Sequence, residues 1–183
     1  MTLNLSYDEI QTPEEVWNDL LKLNRIPEHS VFYEPFSGKN SLYNQVDCKK
    51  KYRTEITEGL DVFDFDFIQN DDVNVIYTNP PYKASIPDKK GNYKVKNCVY
   101  FFLDYFMNNF HNLHTIGFII NSNIFNSLTP TRLKKLKDKY GFIVTRITIF
   151  NTSFWYGCCY FIVFKKDPID TSITFLEKVY HRN

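Results

Sequence analysis

The apolar run Val73–Thr78 stops abruptly at Asn79-Pro80-Pro81-Tyr82. Two consecutive prolines cannot continue a ladder, because proline fixes φ and lacks the backbone N–H. The run therefore reads as a buried strand, with the tetrapeptide held at its carboxyl end. The next fifteen or so residues are polar and basic, so the strand opens onto a surface.

Other apolar runs alternate with helical patterns in the same way. Strands are expected at Val31–Glu34, Tyr52–Ile56, Asp61–Phe63, Val73–Thr78, Thr115–Asn121, Phe142–Phe150 and Cys159–Lys166, with helices over Val99–Phe110 and Thr131–Tyr140. Thr12-Pro13-Glu14-Glu15 reads as a helix start, with Thr12 capping, Pro13 first in the helix and Val16, Leu20, Leu21 and Leu23 forming its apolar face. Alternation of this kind predicts an open α/β sheet, mostly parallel and covered on both faces. The last two strands lie too close together for a crossover helix, so they are expected to pair as an antiparallel hairpin. In such sheets ligands bind outside the carboxyl ends of the strands.

The 183 residues fit one domain, and 43% are hydrophobic, enough for a sizeable core. A net charge of +1 excludes nucleic-acid binding by overall charge, so any such affinity must come from local patches. The four cysteines lack metal-ligand spacing and read as reduced, mostly buried thiols; the histidines form no metal pattern either. No segment has the composition of a leader or a membrane span, so a soluble intracellular domain is expected.

Three segments at strand ends carry candidate chemistry. At the tetrapeptide, the Asn79 amide oxygen and the Pro80 carbonyl, held rigid by Pro81, can together accept from one planar NH2 group. An amino group conjugated to a ring or carbonyl is a poor nucleophile, and two aimed acceptors can localise its lone pair toward an electrophilic carbon. Tyr82 can stack on the ring that bears the amine, worth about 1–3 kcal/mol. The first strand runs into Glu34-Pro35-Phe36-Ser37-Gly38-Lys39-Asn40, where Gly38 allows a ligand close to the backbone. About twenty residues on, Glu55 is placed to accept from ribose hydroxyls, and Asp61, flanked by Val62 and Phe63, to accept from an adenine amino group.

With these residues together, the chain resembles the amino-group DNA methyltransferases, and among them the small adenine-N6 enzymes of phages and large DNA viruses. Asn79-Pro80-Pro81-Tyr82 matches the catalytic tetrapeptide of that family, which RNA and protein-glutamine methyltransferases share. Glu34 through Asn40 is similar to its acid-Pro-Phe-x-Gly-x-Gly turn, Glu55 to its ribose-binding acid, Asp61-Val62-Phe63 to its Asp-Phe-Phe element, and Thr12-Pro13 to its N-terminal cofactor-side element. The resemblance implies a Rossmann-like class I methyltransferase fold of seven strands and S-adenosylmethionine as cofactor. It implies methyl transfer to adenine N6 in DNA, with the base flipped out and Phe154-Trp155-Tyr156 of the hairpin loop beside it. A restriction-modification setting belongs to the same resemblance. Two departures stand out: Asn40 replaces the second glycine of the turn, and only a short tail follows Lys166, so no separate target-recognition domain is expected within residues 1–183.

Between residues 83 and 97, Lys83, Lys89, Lys90, Lys94 and Lys96 face only Asp88 in charge, so this loop is a candidate phosphate contact. A second basic run holds Arg132, Lys134, Lys135, Lys137, Lys139 and Arg146, and reads as a solvated helix face. RNA as the substrate, a glutamine amide of a protein, and a non-catalytic nucleic-acid-binding subunit remain alternatives, as do a homodimer and a partner subunit. A cytoplasmic location is expected, in a host cell if the chain is viral.

Overall fold

A computed structural model describes residues 11–63, 72–87, 93–152 and 158–180. A seven-stranded sheet runs through the molecule in the order β2-β1-β3-β6-β8-β7-β9. Its strands are β1 (Val31–Glu34), β2 (Lys50–Arg53), β3 (Val75–Thr78), β6 (Thr115–Asn121), β7 (Phe142–Thr152), β8 (Cys158–Lys166) and β9 (Thr174–Tyr180). Neighbours β1–β2, β1–β3, β3–β6 and β7–β9 are parallel, whereas β8 pairs antiparallel with both β6 and β7. β8 is thus the single reversed strand, inserted between β6 and β7, as the short connection before it requires. The expected mostly parallel sheet with a late antiparallel hairpin is what forms.

Helices cover both faces. On one side lie α2 (Val99–Asn109) and α4 (Pro130–Tyr140), whose Phe102, Leu103, Phe106 and Leu136 join Tyr33, Ile76, Phe118 and Ile120 in one buried cluster. On the other lies α1 (Glu14–Leu23), burying Val16, Trp17 and Leu20 against Phe32, Val75, Tyr77 and Phe161. Adjacent residues of β1, Phe32 and Tyr33, therefore enter opposite clusters, as the two-residue period of a strand dictates. The all-buried runs of β1 and β3 follow from burial on both faces. Trp17 meets Phe161 edge-on with centroids 6.0 Å apart. At Gly117 on β6, an added Cβ would sit 2.5 Å from Phe161 and 2.6 Å from Tyr77, so only glycine lets those rings close over the sheet.

Four expectations are corrected. Asp61–Phe63 is a turn and not a strand, because Asp61 Oδ1 accepts from the Phe63 N–H at 3.0 Å and bends the chain. The seventh strand is instead β9, at the far edge. Residues 83–97 are not a plain loop: β4 (Lys83–Pro87) and β5 (Tyr93–Asn97) pair antiparallel as a separate two-stranded ribbon. On α1, Trp17 belongs to the buried face while Leu23 is 38% exposed. A short α3 (Ser122–Phe125), which the apolar pattern does not mark, follows β6. Of the four free cysteines, Cys98 and Cys159 are buried, and Cys48 and Cys158 half-buried. Among the described residues no helix is long and apolar enough to cross a membrane.

Candidate active site

The tetrapeptide sits where the sequence puts it, at the carboxyl end of β3. Pro80 is buried, and Asn79, Pro81 and Tyr82 are half-buried. Both ends of the Asn79 amide are held. Its Nδ2 donates to Thr12 Oγ1 at 3.1 Å, and its Oδ1 accepts from the Tyr82 hydroxyl at 3.0 Å. The same hydroxyl lies 3.3 Å from the Ile119 carbonyl of β6, so its one hydrogen is shared. The Tyr82 carbonyl accepts from the Cys98 N–H at 3.1 Å, closing the base of the β4–β5 ribbon beside the site.

Thr12 does not cap α1. Pro13 occupies the capping position with extended backbone, and the helix begins at Glu14. That frees the Thr12 hydroxyl, 4% exposed, for Asn79. One residue earlier, Gln11 Oε1 accepts from the Lys39 N–H at 3.2 Å and lies over Gly38. Residues 11–13 thus form a strap from the glycine turn to Asn79. Gln11 carries no sequence signal, and the signal at Thr12 points to the cap.

The turn after β1 is braced by Thr54. Its N–H donates to the Glu34 carbonyl at 3.0 Å, its hydroxyl to the Pro35 carbonyl at 2.7 Å, and its carbonyl accepts from the Ser37 N–H at 3.1 Å. Gly38 (φ 48°) and Asn40 (φ 65°) both adopt left-handed backbone, so asparagine does stand in for a glycine here. Glu55 lies just past β2 and caps a 3-10 turn. Its Oε1 accepts from the N–H and hydroxyl of Thr57 at 3.1 and 2.9 Å, and its Oε2 from the Gly38 N–H at 2.7 Å. Three of the roughly four acceptor positions of a carboxylate are thereby used, and one remains for a ligand.

Glu34 is 3% exposed, and its Oε2 has no hydrogen-bond partner. Burial holds its carboxyl well above the usual carboxylate range, while the Tyr43 N–H and Arg53 pull it down and Glu55 pushes it further up. Asn40 Oδ1 is likewise buried without a partner. Phe36 packs on Phe102 at 4.7 Å, and Phe102 on Phe63 at 6.3 Å, so an aromatic wall joins the turn to Asp61 and the buried Val62.

The structure therefore brings together Thr12, Glu34, Pro35, Phe36, Gly38, Glu55 and Asn79, and ties Asp61 and Val62 to them through the wall. Lys83 begins β4 directly after Tyr82. Lys89, Lys90, Phe154 and Trp155 lie outside the described residues. On the second basic run, Lys134 pairs with Asp138 and Lys139 approaches Asp104 at 3.6 Å on the exposed side of α4, while Arg146 reaches Asn24 at 3.2 Å beneath α1. This is the expected solvated helix face, with Arg146 its exception.

Solved structures align over most of the chain. A protein from Listeria monocytogenes, described as a class I S-adenosylmethionine-dependent methyltransferase, matches with a TM-score of 0.66 at 12% identity, over 92% of this chain and 65% of that one. The chain has the class I methyltransferase fold. The methyltransferase subunit of a type I restriction-modification system from Streptococcus thermophilus gives a TM-score of 0.59 at 15% identity, over 92% of this chain and 47% of its own. The M protein of the type I restriction enzyme EcoKI gives 0.59 at 12% identity, over 87% and 44%. The chain thus spans about two thirds of the first structure and under half of the two subunits. No family model matches the sequence, and no curated protein does.

Proposed function

We propose that this chain transfers a methyl group from S-adenosylmethionine to the exocyclic N6 amino group of adenine in DNA. The observation that carries the reading is Asn79, an amide fixed at both ends between Thr12 and Tyr82 at the carboxyl end of β3, beside the Glu34–Asn40 turn. The fit of the cofactor rests on the polar atoms the fold leaves over. Asn40 Oδ1 is a buried acceptor without a donor, and the buried Glu34 carboxyl leaves one oxygen without a partner, which suits a ligand with polar hydrogens to offer.

When bound, S-adenosylmethionine would supply an electrophilic methyl group on a sulfonium, whose carbon a nitrogen lone pair attacks while the C–S electrons leave on sulfur as the thioether. Thr12, Pro13, Glu34, Pro35, Phe36, Gly38, Glu55, Asp61 and Val62 would hold it. Asn79 Oδ1 and the Pro80 carbonyl receive the two hydrogens of the target amine and aim its lone pair. Thr12 keeps the Asn79 amide from rotating. Tyr82 leaves Asn79 Oδ1 when the amine arrives and stacks on the base. The nitrogen becomes acidic only after it has gained the methyl, so its proton leaves last and no strong base is needed.

Two features favour nucleic acid over a glutamine amide. The ribbon of β4 and β5 leaves the tetrapeptide directly and bears Lys83, Lys94 and Lys96, and two structures that share the fold are subunits of type I restriction-modification enzymes. Within residues 1–183 the ribbon is the candidate for target recognition.

The test is transfer of labelled methyl from the cofactor to DNA, RNA and a protein extract, followed by digestion and identification of the product. Label in N6-methyldeoxyadenosine, lost with Asn79→Ala, is expected. Label in RNA or in methylglutamine would move the substrate, and bound cofactor with no transfer to any would favour the non-catalytic subunit.

A further inference from the structure

The two outer strands of the sheet are built differently. β2 has four residues, and three of them, Lys50, Lys51 and Arg53, are basic, which is one way an edge is kept from pairing with another chain. β9 runs for seven residues, holds no proline, and has a strand on one side only among the described residues. Its lysine does not guard the edge, because Lys178 is drawn onto Asp19 of α1. In and just before β9 lie three of the four large hydrophobic side chains that the described residues expose, Ile169, Ile173 and Phe175, the fourth being Leu23. An unguarded edge beside exposed apolar side chains is a template for strand addition.

We propose that β9 is a self-association edge, which adds antiparallel to β9 of a second copy so that two seven-stranded sheets become one of fourteen. The residues of the strand select the register. Directly opposed residues share a face, so a two-fold axis normal to the sheet sets one position opposite itself and pairs the rest symmetrically about it. Centred on Glu177 or Lys178, the axis would set like charges against each other. Centred on Phe175 or Val179, it would pair only three positions within the strand. Centred on Leu176 it pairs five, Thr174 to Lys178, with Glu177 opposite Phe175 and Lys178 opposite Thr174. No like charges are then opposed, and that self-compatibility singles out a second copy as the occupant. The two Phe175 positions become diagonal neighbours about 7–8 Å apart, within reach for aromatic rings. β9 runs parallel to β3 by way of β7, β8 and β6. The two tetrapeptides therefore lie on opposite rims of the joined sheet, and neither copy completes the other's site.

The experiment is sedimentation velocity of the full chain over a concentration series, for the wild type and Phe175→Lys, with crosslinking of Leu176→Cys and Glu177→Cys under mild oxidation alongside. The wild type is expected to sediment as a dimer that dissociates on dilution. Phe175→Lys sets two ammonium groups across the axis and is expected to weaken the dimer about tenfold or more. Its far-ultraviolet circular dichroism should match the wild type, since the ring it replaces is 63% exposed. Leu176→Cys faces itself within disulfide reach and should give a covalent dimer above the background of the four native cysteines. Glu177→Cys, set opposite Phe175, should stay at that background. A wild type that remains monomeric throughout the series would overturn the proposal. So would a dimer indifferent to Phe175→Lys, or a crosslink that forms as readily from Glu177→Cys. Methyl transfer enters none of these measurements, so the dimer and the methyltransferase reading can fail separately.

Discussion

The Asn79 side chain donates to the Thr12 hydroxyl at 3.1 Å, across 67 positions of sequence. That bond decides which way the amide faces. With Nδ2 committed to Thr12, Oδ1 points to the side on which Tyr82 sits and a substrate amine would arrive. Replacing Thr12 with valine keeps the shape and removes the acceptor, leaving a half-buried N–H unanswered at about 1–3 kcal/mol. Turnover in a labelled-methyl assay is expected to fall roughly ten- to hundredfold, with Thr12→Ser recovering most of it. Unchanged turnover in Thr12→Val would show that Asn79 needs no such guide.

Tyr82 separates two roles, donor to Asn79 and platform for a base. Tyr82→Phe removes the hydroxyl and keeps the ring, so activity should stay within a few-fold of the wild type. Tyr82→Ala removes both and is expected to raise the KM for DNA by roughly ten- to hundredfold, the worth of one stacked base. Steady-state kinetics on an adenine-containing oligonucleotide decides, and equal losses in the two variants would reject stacking.

Glu34 ties stability to pH. Its carboxyl is held above the ordinary value of 4.5 in the folded chain, so the folded state keeps a proton the unfolded state gives up. Stability without ligand therefore declines as pH rises through 4.5, until the folded carboxyl ionises too. Arg53 and the Tyr43 N–H moderate the effect and Glu55 adds to it. Glu34→Gln should be more stable than the wild type near neutral pH, with the advantage gone below the ordinary value. Urea midpoints at both pH values measure the gap, and a gap independent of pH would contradict this account.

Gly117 is a packing constraint with no tie to chemistry. Alanine there would push into Phe161 and Tyr77 at the centre of the sheet, an overpacking that costs about 1–3 kcal/mol. Thermal unfolding should shift down by several degrees, while cofactor affinity measured well below the transition stays as it was.

Much of this is legible in the chain itself, for identifiable reasons. Parallel strands buried on both faces write continuous apolar runs, which is why β1, β3 and β6 stand out. The tetrapeptide marks its own place because prolines end ladders. β9 is silent because it is an edge strand fastened by main-chain bonds to β7, with Phe175 63% exposed and no apolar alternation to read. Asp61–Phe63 misleads because an aspartate followed by two apolar residues suits both a strand and a turn, and the side-chain bond to the Phe63 N–H decides it. Thr12 misleads for the opposite reason. Thr-Pro-Glu-Glu is locally a good helix start, and only the fold brings Asn79 near enough to claim the hydroxyl. The ribbon escapes a sequence reading because few apolar residues mark its two strands.

The single reversed strand has a consequence for how the molecule is made. β8 gives Phe161 and Val163 to the cluster under α1, Ile162 and Phe164 to the cluster under α2 and α4, and the hydrogen bonds that complete the edge of β6. A nascent chain that has not reached residue 158 therefore leaves both clusters open, with an unpaired strand edge between them. Trp17 waits longest, since the ring it meets edge-on is Phe161. Asn79-Pro80-Pro81-Tyr82 is synthesised well before that point. It becomes part of a closed sheet only when β8 is threaded between two strands that precede it.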